Sequence, residues 1–127
     1  FIPALERAVR HSIPKPLALI LNYPSNPTAC IASLDFYKDI VAFARKNDII
    51  ILSDLAYAEI YFDDNPPPSV LQVPGAMDVT VEFTSMSKTF SMPGWSATNG
   101  GSPRFRASNP ISTMEPSRRF RWQLQRP

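Results

Sequence analysis

Short apolar runs alternate with polar loops along the first three quarters of the chain. The runs cover residues 17–21, 49–52 and 79–83, and each is rich in aliphatic or β-branched residues. Runs of this length are typical of strands that are covered on both faces, as in parallel sheets. We therefore predict buried strands at these three positions.

Helical patterns lie before and between these runs. Residues 3–11 predict a short helix that begins at a proline, which is tolerated in the first turn. Ser33 is a candidate N-cap for a helix over residues 34–46, where apolar side chains recur every three or four positions. Residues 69–73 predict one more helical turn. This order predicts an α/β fold, a partial three-layer sheet with mostly parallel strands.

Polar side chains follow each predicted strand at its carboxyl end. In open parallel sheets, ligands bind outside these ends, so the side chains are expected to converge. A lysine amine in such a place is a candidate nucleophile towards a carbonyl group, and neighbouring serine hydroxyls can hold an anion such as a phosphate. The candidate site residues are Asn26, Asp54, Tyr57, Ser85, Ser87 and Lys88.

The composition narrows the class of protein. A hydrophobic content of 44% with 19% charged residues excludes wholesale disorder, and 127 residues suffice for one domain. The single cysteine, Cys30, forms no internal disulfide, which favours a reducing, cytoplasmic setting. No apolar run is long enough to span a membrane, and no metal-binding cluster is expected. The lone histidine, His11, is expected at the surface.

The net charge differs in sign before and after Trp95. Residues 96–127 contain six arginines and one glutamate, a net charge of +5, so the first 95 residues carry −3. We expect a partial domain over residues 1–95 and an irregular basic tail over residues 96–127, which shows neither a helical nor a strand period. Arginines interleaved with aromatic side chains such as Phe120 and Trp122 also fit a nucleic-acid-binding arm, the lesser alternative.

Three motifs in the first 95 residues resemble the fold-type I, pyridoxal-phosphate-dependent aminotransferases of class I/II. They are Tyr-Pro-Ser-Asn-Pro-Thr at 23–28, Ser-Asp-Leu-Ala-Tyr at 53–57 and Ser-Met-Ser-Lys-Thr-Phe-Ser-Met-Pro-Gly-Trp at 85–95. All three follow the family's order. The resemblance is closest to the alanine and diaminopimelate aminotransferase branch.

The resemblance implies a role for each residue that touches the cofactor ring. Lys88 would form the Schiff base with the cofactor aldehyde and later move the substrate proton. Asp54 would pair with the pyridine nitrogen, and Tyr57 and Asn26 would contact the ring oxygen. Taken alone, Asp54 also fits a helix cap, Tyr57 an ordinary half-buried tyrosine, and Asn26 a turn residue.

The same resemblance implies which residues contact the cofactor phosphate and which reaction is catalysed. Ser85 would contact the cofactor phosphate, with Ser87 as a helper. The implied reaction moves an amino group from an amino acid to a 2-oxo acid in two half-reactions, in an enzyme that is a homodimer when intact. A pyridoxal-phosphate-dependent lyase of the same fold and a non-enzymatic relic with a nucleic-acid-binding tail are the alternatives.

The chain departs from the family pattern after Trp95. Ser96 stands where the family has an arginine that binds the phosphate, and no later residue matches. Back-translated in another reading frame, residues 107–125 can spell a string that resembles the family's next segment. We therefore expect a truncated, frame-shifted gene whose product has negligible turnover alone.

Overall fold

The computed structural model describes residues 1–92 and, beyond them, four strand segments. Each predicted element is present in the described part, with small changes in its bounds. The helices are α1 (Ile2–His11), α2 (Leu34–Asn47) and α3 (Met86–Thr89), and 3-10 turns lie at Val70–Gln72 and Ala76–Asp78. The strands are β1 (Ala18–Asn22), β2 (Ile50–Asp54), β3 (Thr80–Ser85), β4 (Trp95–Asn99), β5 (Phe105–Ala107), β6 (Glu115–Pro116) and β7 (Trp122–Leu124).

The main sheet has the strand order β1-β2-β3-β4-β6. β1, β2 and β3 run parallel, whereas β4 is antiparallel to β3, and β6 to β4. In the parallel register Asn22 lies opposite Asp54, and Asp54 lies opposite Phe83. The carboxyl ends of these strands therefore lie side by side, and the predicted α/β fold with mostly parallel strands is confirmed.

The hydrophobic core lies between the sheet and α2. Ile40 and Ala44 of α2 are fully buried and pack in one cluster with Leu21 and Ile51 of the sheet. Successive strand residues point to opposite faces, and on the other face Ile20 is 72% exposed. We predicted that both faces of β1 would be covered. Among the described residues, only the face towards α2 is covered.

The ends of α2 follow from their local sequence. The Ser33 hydroxyl accepts a hydrogen bond from the Phe36 N–H at 3.1 Å, which confirms the predicted N-cap. At the other end Asp48 adopts a left-handed conformation with φ of 58°, which ends the helix. The first cap fixes where the loop from β1 joins α2, and the second fixes where α2 ends before β2.

The strand bounds differ from the predicted ones in a way that matters for the site. β1, β2 and β3 continue to Asn22, Asp54 and Ser85, beyond the apolar runs that predicted them. Three polar residues therefore stand on strands and not in loops. Hydrophobicity alone did not show this, because polar side chains at the end of a strand interrupt the apolar pattern without ending the hydrogen-bonded ladder.

Short strands also occur after residue 95. The sequence shows no strand period there, yet β4 pairs with β3 from Glu82 to Ser85, and β5 pairs with β7. Pairing with an existing strand edge can impose extended structure on a sequence with weak intrinsic preference.

A buried carboxylate joins the β2–β3 connection to the sheet. Glu82 of β3 is only 4% exposed, and its two oxygens accept hydrogen bonds from the Ser69 hydroxyl at 2.8 and 2.9 Å. The Ser53 hydroxyl donates a longer bond at 3.4 Å. Burial raises the pKa of Glu82, while the hydrogen bonds from Ser69, Ser53 and the Val70 backbone act in the opposite direction.

This burial predicts a dependence of stability on pH. Because the pKa of Glu82 is higher in the folded state than its ordinary value of 4.5, the folded chain binds more protons above that pH. The contribution of Glu82 to the free energy of unfolding is therefore full below about pH 4.5 and is lost as the pH rises through the folded pKa. In Glu82→Gln, which cannot ionise, this loss is absent.

The measurement is urea unfolding of the wild type and Glu82→Gln over a series of pH values from mildly acidic to neutral. We expect the variant to gain stability relative to the wild type as the pH rises. The exposed Glu59→Gln is the matched control, because water solvates that side chain in both states. A Glu82→Gln difference that stays constant over the series contradicts the prediction.

Candidate functional site

The carboxylate of Asp54 is held from two sides at the end of β2. Its Oδ2 accepts a hydrogen bond from the Asn22 side-chain amide at 2.9 Å, and its Oδ1 accepts one from the Ala56 backbone N–H at 3.2 Å. Both Asn22 and Asp54 are half-buried on the face of the sheet opposite α2. The orientation of this carboxylate is therefore set by its neighbours, while part of it stays accessible.

The loop after β1 brings Asn26 to the same edge of the sheet. The loop is closed by backbone hydrogen bonds from Ser25 to Cys30 at 2.9 Å and from Ala29 to Ser25 at 2.7 Å. The Asn26 backbone N–H donates to Oδ1 of Asn22 at 3.4 Å, a long and weaker bond. Its side-chain amide donates to the Tyr57 hydroxyl at 3.0 Å. Asn26 thus joins the ends of β1 and β2.

Tyr57 connects this group to the lysine. The Lys88 Nζ lies 5.8 Å from the centroid of the Tyr57 ring, within the range of a cation–π contact. Lys88 is exposed and sits in the last turn of α3, the short helix that directly follows β3. An amine, a phenol, an amide and a carboxylate are therefore brought together from three neighbouring strand ends.

The two serines differ in their surroundings. Ser85 ends β3 and lines a cavity of about 390 Å³ together with Asp54 and Phe83. The Ser87 hydroxyl instead donates to the Met92 carbonyl at 3.2 Å, within its own turn. Its single hydroxyl hydrogen is therefore engaged within the turn and would have to leave the Met92 carbonyl before it could donate to an anion.

A larger cleft of about 570 Å³ lies between residues 24–31 and 57–68. Asn26 and Tyr57 line it, whereas Asp54 and Lys88 do not. Among the described residues its walls carry no charged side chain, and proline, isoleucine and aromatic residues form most of them. The Asn26–Tyr57 pair therefore lines an apolar cleft in addition to its contacts with the polar group of side chains.

Sequence reasoning missed Asn22 and the Ala56 N–H. Asn22 lies directly before the first motif and looks like a turn residue until the register of β1 and β2 is known. The Ala56 N–H is a backbone group that no side-chain pattern can reveal. Asn22 is one residue and Asp54 two residues beyond the apolar runs that predicted their strands, so no sequence signal pairs them without the register.

Other residues singled out from the sequence lie elsewhere. His11 ends α1 and is exposed, and Cys30 is an exposed loop residue with a free thiol. Phe120 of the proposed basic arm lies outside the described residues. Within the described part, no cluster of acidic, histidine or cysteine side chains could hold a metal ion, and no helix is long and apolar enough to cross a bilayer.

Comparison with known proteins identifies the fold. It matches part of the fold of a fold-type I aminotransferase, an aromatic aminotransferase of Pyrococcus horikoshii OT3. That structure aligns with a TM-score of 0.69 and 29% identity over 80% of this chain and 27% of its own. The profile of the family "Aminotransferase class I and II" matches residues 2–98. The chain belongs to the class I and II aminotransferases.

Relatives of known sequence support the same branch of the family. AatC of Rhizobium meliloti (strain 1021) is 85% identical over 95 residues, which are 75% of this chain and 24% of that protein. The glutamate-pyruvate aminotransferase AlaC of Escherichia coli (strain K12) is 50% identical over 95 residues, 75% of this chain and 23% of its own length. LL-diaminopimelate aminotransferases match at 43 to 50% identity.

These matches also show what share of a relative's length the chain covers. The chain spans about a quarter of the length of the curated relatives that it matches. The family and the partial fold are therefore established, whereas the activity, substrates and partners of the whole protein are matters for proposal.

The hydrogen bond between Asn26 and Tyr57 makes a testable contribution to stability. Both side chains are partly accessible to water, so the coupling between them is expected to be about 0.5–1.5 kcal/mol. We expect Asn26→Ala and Tyr57→Phe to be less destabilising together than the sum of the single changes. The measurement is a double-mutant cycle by urea unfolding.

Tyr61→Phe is the control for the loss of a hydroxyl, because Tyr61 lines the same cleft and is exposed. We expect the effect of Tyr61→Phe on the free energy of unfolding to add to that of Asn26→Ala. Additivity of Tyr57→Phe as well would show that the amide and the phenol do not interact in solution.

Proposed function

We propose that the edge of the sheet formed by the ends of β1, β2 and β3 is a pyridoxal phosphate site of an aminotransferase. The observation that carries the proposal is the connected group of side chains from Asp54 through Asn22 and Asn26 to Tyr57, with the Lys88 amine beside the phenol. The donor set fits the cofactor chemically, because its ring offers a basic nitrogen, an oxygen and an aldehyde to a carboxylate, two polar donors and an amine.

Each of these residues is proposed to act on one part of the cofactor. Asp54, held by Asn22 and the Ala56 N–H, receives the proton-bearing ring nitrogen as a hydrogen-bond acceptor. Tyr57 and Asn26 donate towards the ring oxygen, and their mutual hydrogen bond keeps the two donors side by side. Ser85, next to Asp54 in the smaller cavity, contacts the phosphate, with Ser87 beside it.

Lys88 is the proposed catalytic residue. When bound, pyridoxal phosphate supplies an aldehyde that holds amino groups covalently and a ring that accepts electrons. Lys88 would hold the cofactor at its aldehyde, and its amine would be the group that takes and returns the proton at the substrate Cα. This proposal is supported by the exposure of Lys88, by its place in the short helix that follows β3, and by the position of its amine near the Tyr57 ring.

The proposed reaction is transfer of an amino group from an amino acid to a 2-oxo acid. This activity is proposed for a protein of the full length of the relatives, of which this chain spans about a quarter. For the 127 residues themselves we expect cofactor binding with negligible turnover. A homodimeric assembly and a cytoplasmic location complete the proposal, the latter supported by the free Cys30 thiol.

The division of the chain near residue 95 is also a proposal. It is supported by the family match, which stops at residue 98, and by relatives that match over 95 residues. Ser96 stands in place of the family's phosphate-binding arginine. We therefore expect weaker binding of the phosphate. The nucleotide sequence tests the proposed frame shift, and codons incompatible with the shifted string would refute it.

Covalent labelling tests the proposed role of Lys88. The chain is incubated with pyridoxal phosphate and then with borohydride, which reduces a carbon–nitrogen double bond to a stable amine. We expect the label in the peptide that contains Lys88, and its loss in Lys88→Arg, which keeps the charge but not the nucleophile. The measurement is peptide mass spectrometry.

Lys46→Arg is the matched control, because this lysine lies in the last turn of α2 and is exposed. It is expected to leave the labelling of Lys88 unchanged. Labelling spread evenly over the lysines, unaffected by Lys88→Arg, would contradict the proposed site.

A further inference from the structure

The side chain of Asn22 stands between the two halves of the candidate site. We propose that Asn22 is a positioning residue that couples the orientation of Asp54 to the loop that carries Asn26. This inference rests on the proposed function, since it assigns to Asn22 the task of keeping the ligands of the ring nitrogen and the ring oxygen at a fixed separation.

The sheet itself delivers Asn22 to Asp54. The two residues are register partners at the last positions of β1 and β2, and they point to the same face. The Asn22 amide nitrogen donates to Asp54 Oδ2 at 2.9 Å, a hydrogen bond strengthened by the charge of the acceptor. With the Ala56 N–H on Oδ1, this bond stops the carboxylate from rotating.

The other end of the same amide faces the loop. Oδ1 of Asn22 accepts the Asn26 backbone N–H at 3.4 Å, and the Asn26 side chain in turn donates to Tyr57. A side-chain amide offers a donor and an acceptor on one rigid plane, which an aspartate or an aliphatic residue in this position cannot do. Asn22 therefore links a strand-borne carboxylate to a loop-borne donor.

The rigid pyridine ring of the proposed cofactor is the reason why the link through Asn22 matters for binding. The nitrogen and the oxygen of a pyridine ring keep a constant distance, so their protein ligands bind well only when their own separation is correct. Asp54 is positioned by a strand, but Asn26 and Tyr57 are not, and prior ordering of such ligands reduces the entropy lost on binding. Asn22 supplies that ordering before the cofactor arrives.

The first test needs no cofactor. In the full chain, NMR is used to follow the side-chain amide of Asn22 and the backbone amides of Asn26 and Ala56 in the wild type and in Asp54→Asn. We expect all three signals to shift in the variant, and hydrogen exchange at the Asn26 amide to become faster in Asn22→Ala. Unchanged exchange at Asn26 in Asn22→Ala would overturn the inference.

Asn47→Ala is the matched control. The Asn47 side chain also donates a hydrogen bond at 2.9 Å, but to the Phe43 carbonyl within α2. We expect it to affect stability without changing exchange at Asn26. If Asn22→Ala does not fold, Asn22→Leu is measured in its place, since it keeps a similar size and loses both the donor and the acceptor.

The second test uses pyridoxal phosphate and an analogue with carbon in place of the ring nitrogen, both titrated by absorbance. We expect Asn22→Ala to weaken binding of pyridoxal phosphate roughly ten-fold, as for loss of a hydrogen bond to a charged group. The same change is expected to have little further effect in Asp54→Ala, and to affect the analogue less. A merely structural role would lower binding of both compounds equally and add to Asp54→Ala, which would overturn the inference.

The two tests separate the inference from the proposed function. Failure of the wild-type chain to bind pyridoxal phosphate counts against the proposed function of these residues, and the cofactor-free measurements still decide whether Asn22 couples Asp54 to the loop. Normal binding with no coupling at Asn26 refutes the inference alone.

Discussion

The parallel register of β1, β2 and β3 is the constraint on which the site depends. It places the last residues of β1 and β2 opposite one another and brings the end of β3 beside them. Polar groups that are 32 residues apart in sequence, such as Asn22 and Asp54, thereby come within hydrogen-bond distance. A slip of one residue would turn these side chains to the α2 face and bury them without their partners.

Alternation along the strands separates two kinds of polar group. Ser53 and Glu82 point towards α2, and the Glu82 carboxylate accepts hydrogen bonds from the Ser53 and Ser69 hydroxyls, which offset its burial. Asp54, one residue further along the same strand as Ser53, points to the open face and keeps access to a ligand. The first group holds the β2–β3 connection in place, and the second is available for chemistry.

The sequence predicted the elements better than it predicted the contacts. Apolar periodicity located β1, β2, β3 and α2 to within one or two residues at most ends, because their burial on the α2 side is decided by local hydrophobicity. The family motifs singled out the polar residues that the structure brings together. The contacts of Asn22 with Asp54 and of Ser87 with Met92 could not be predicted, because they depend on register and on turn geometry that no single segment encodes.

The candidate site combines rigid and adaptable parts. Asn22, Asp54 and Ser85 stand on strands, whereas Asn26 and Tyr57 stand on loops and Lys88 on a helix of one turn. Strands fix the positions of their side chains within narrow limits, whereas loops can adapt to a ligand, and the proposed function uses both properties. A residue that bonds to both parts transmits the precision of the sheet to the loop. Because Asn22 makes one bond to each, the loop donors are oriented by the same strand register that orients Asp54.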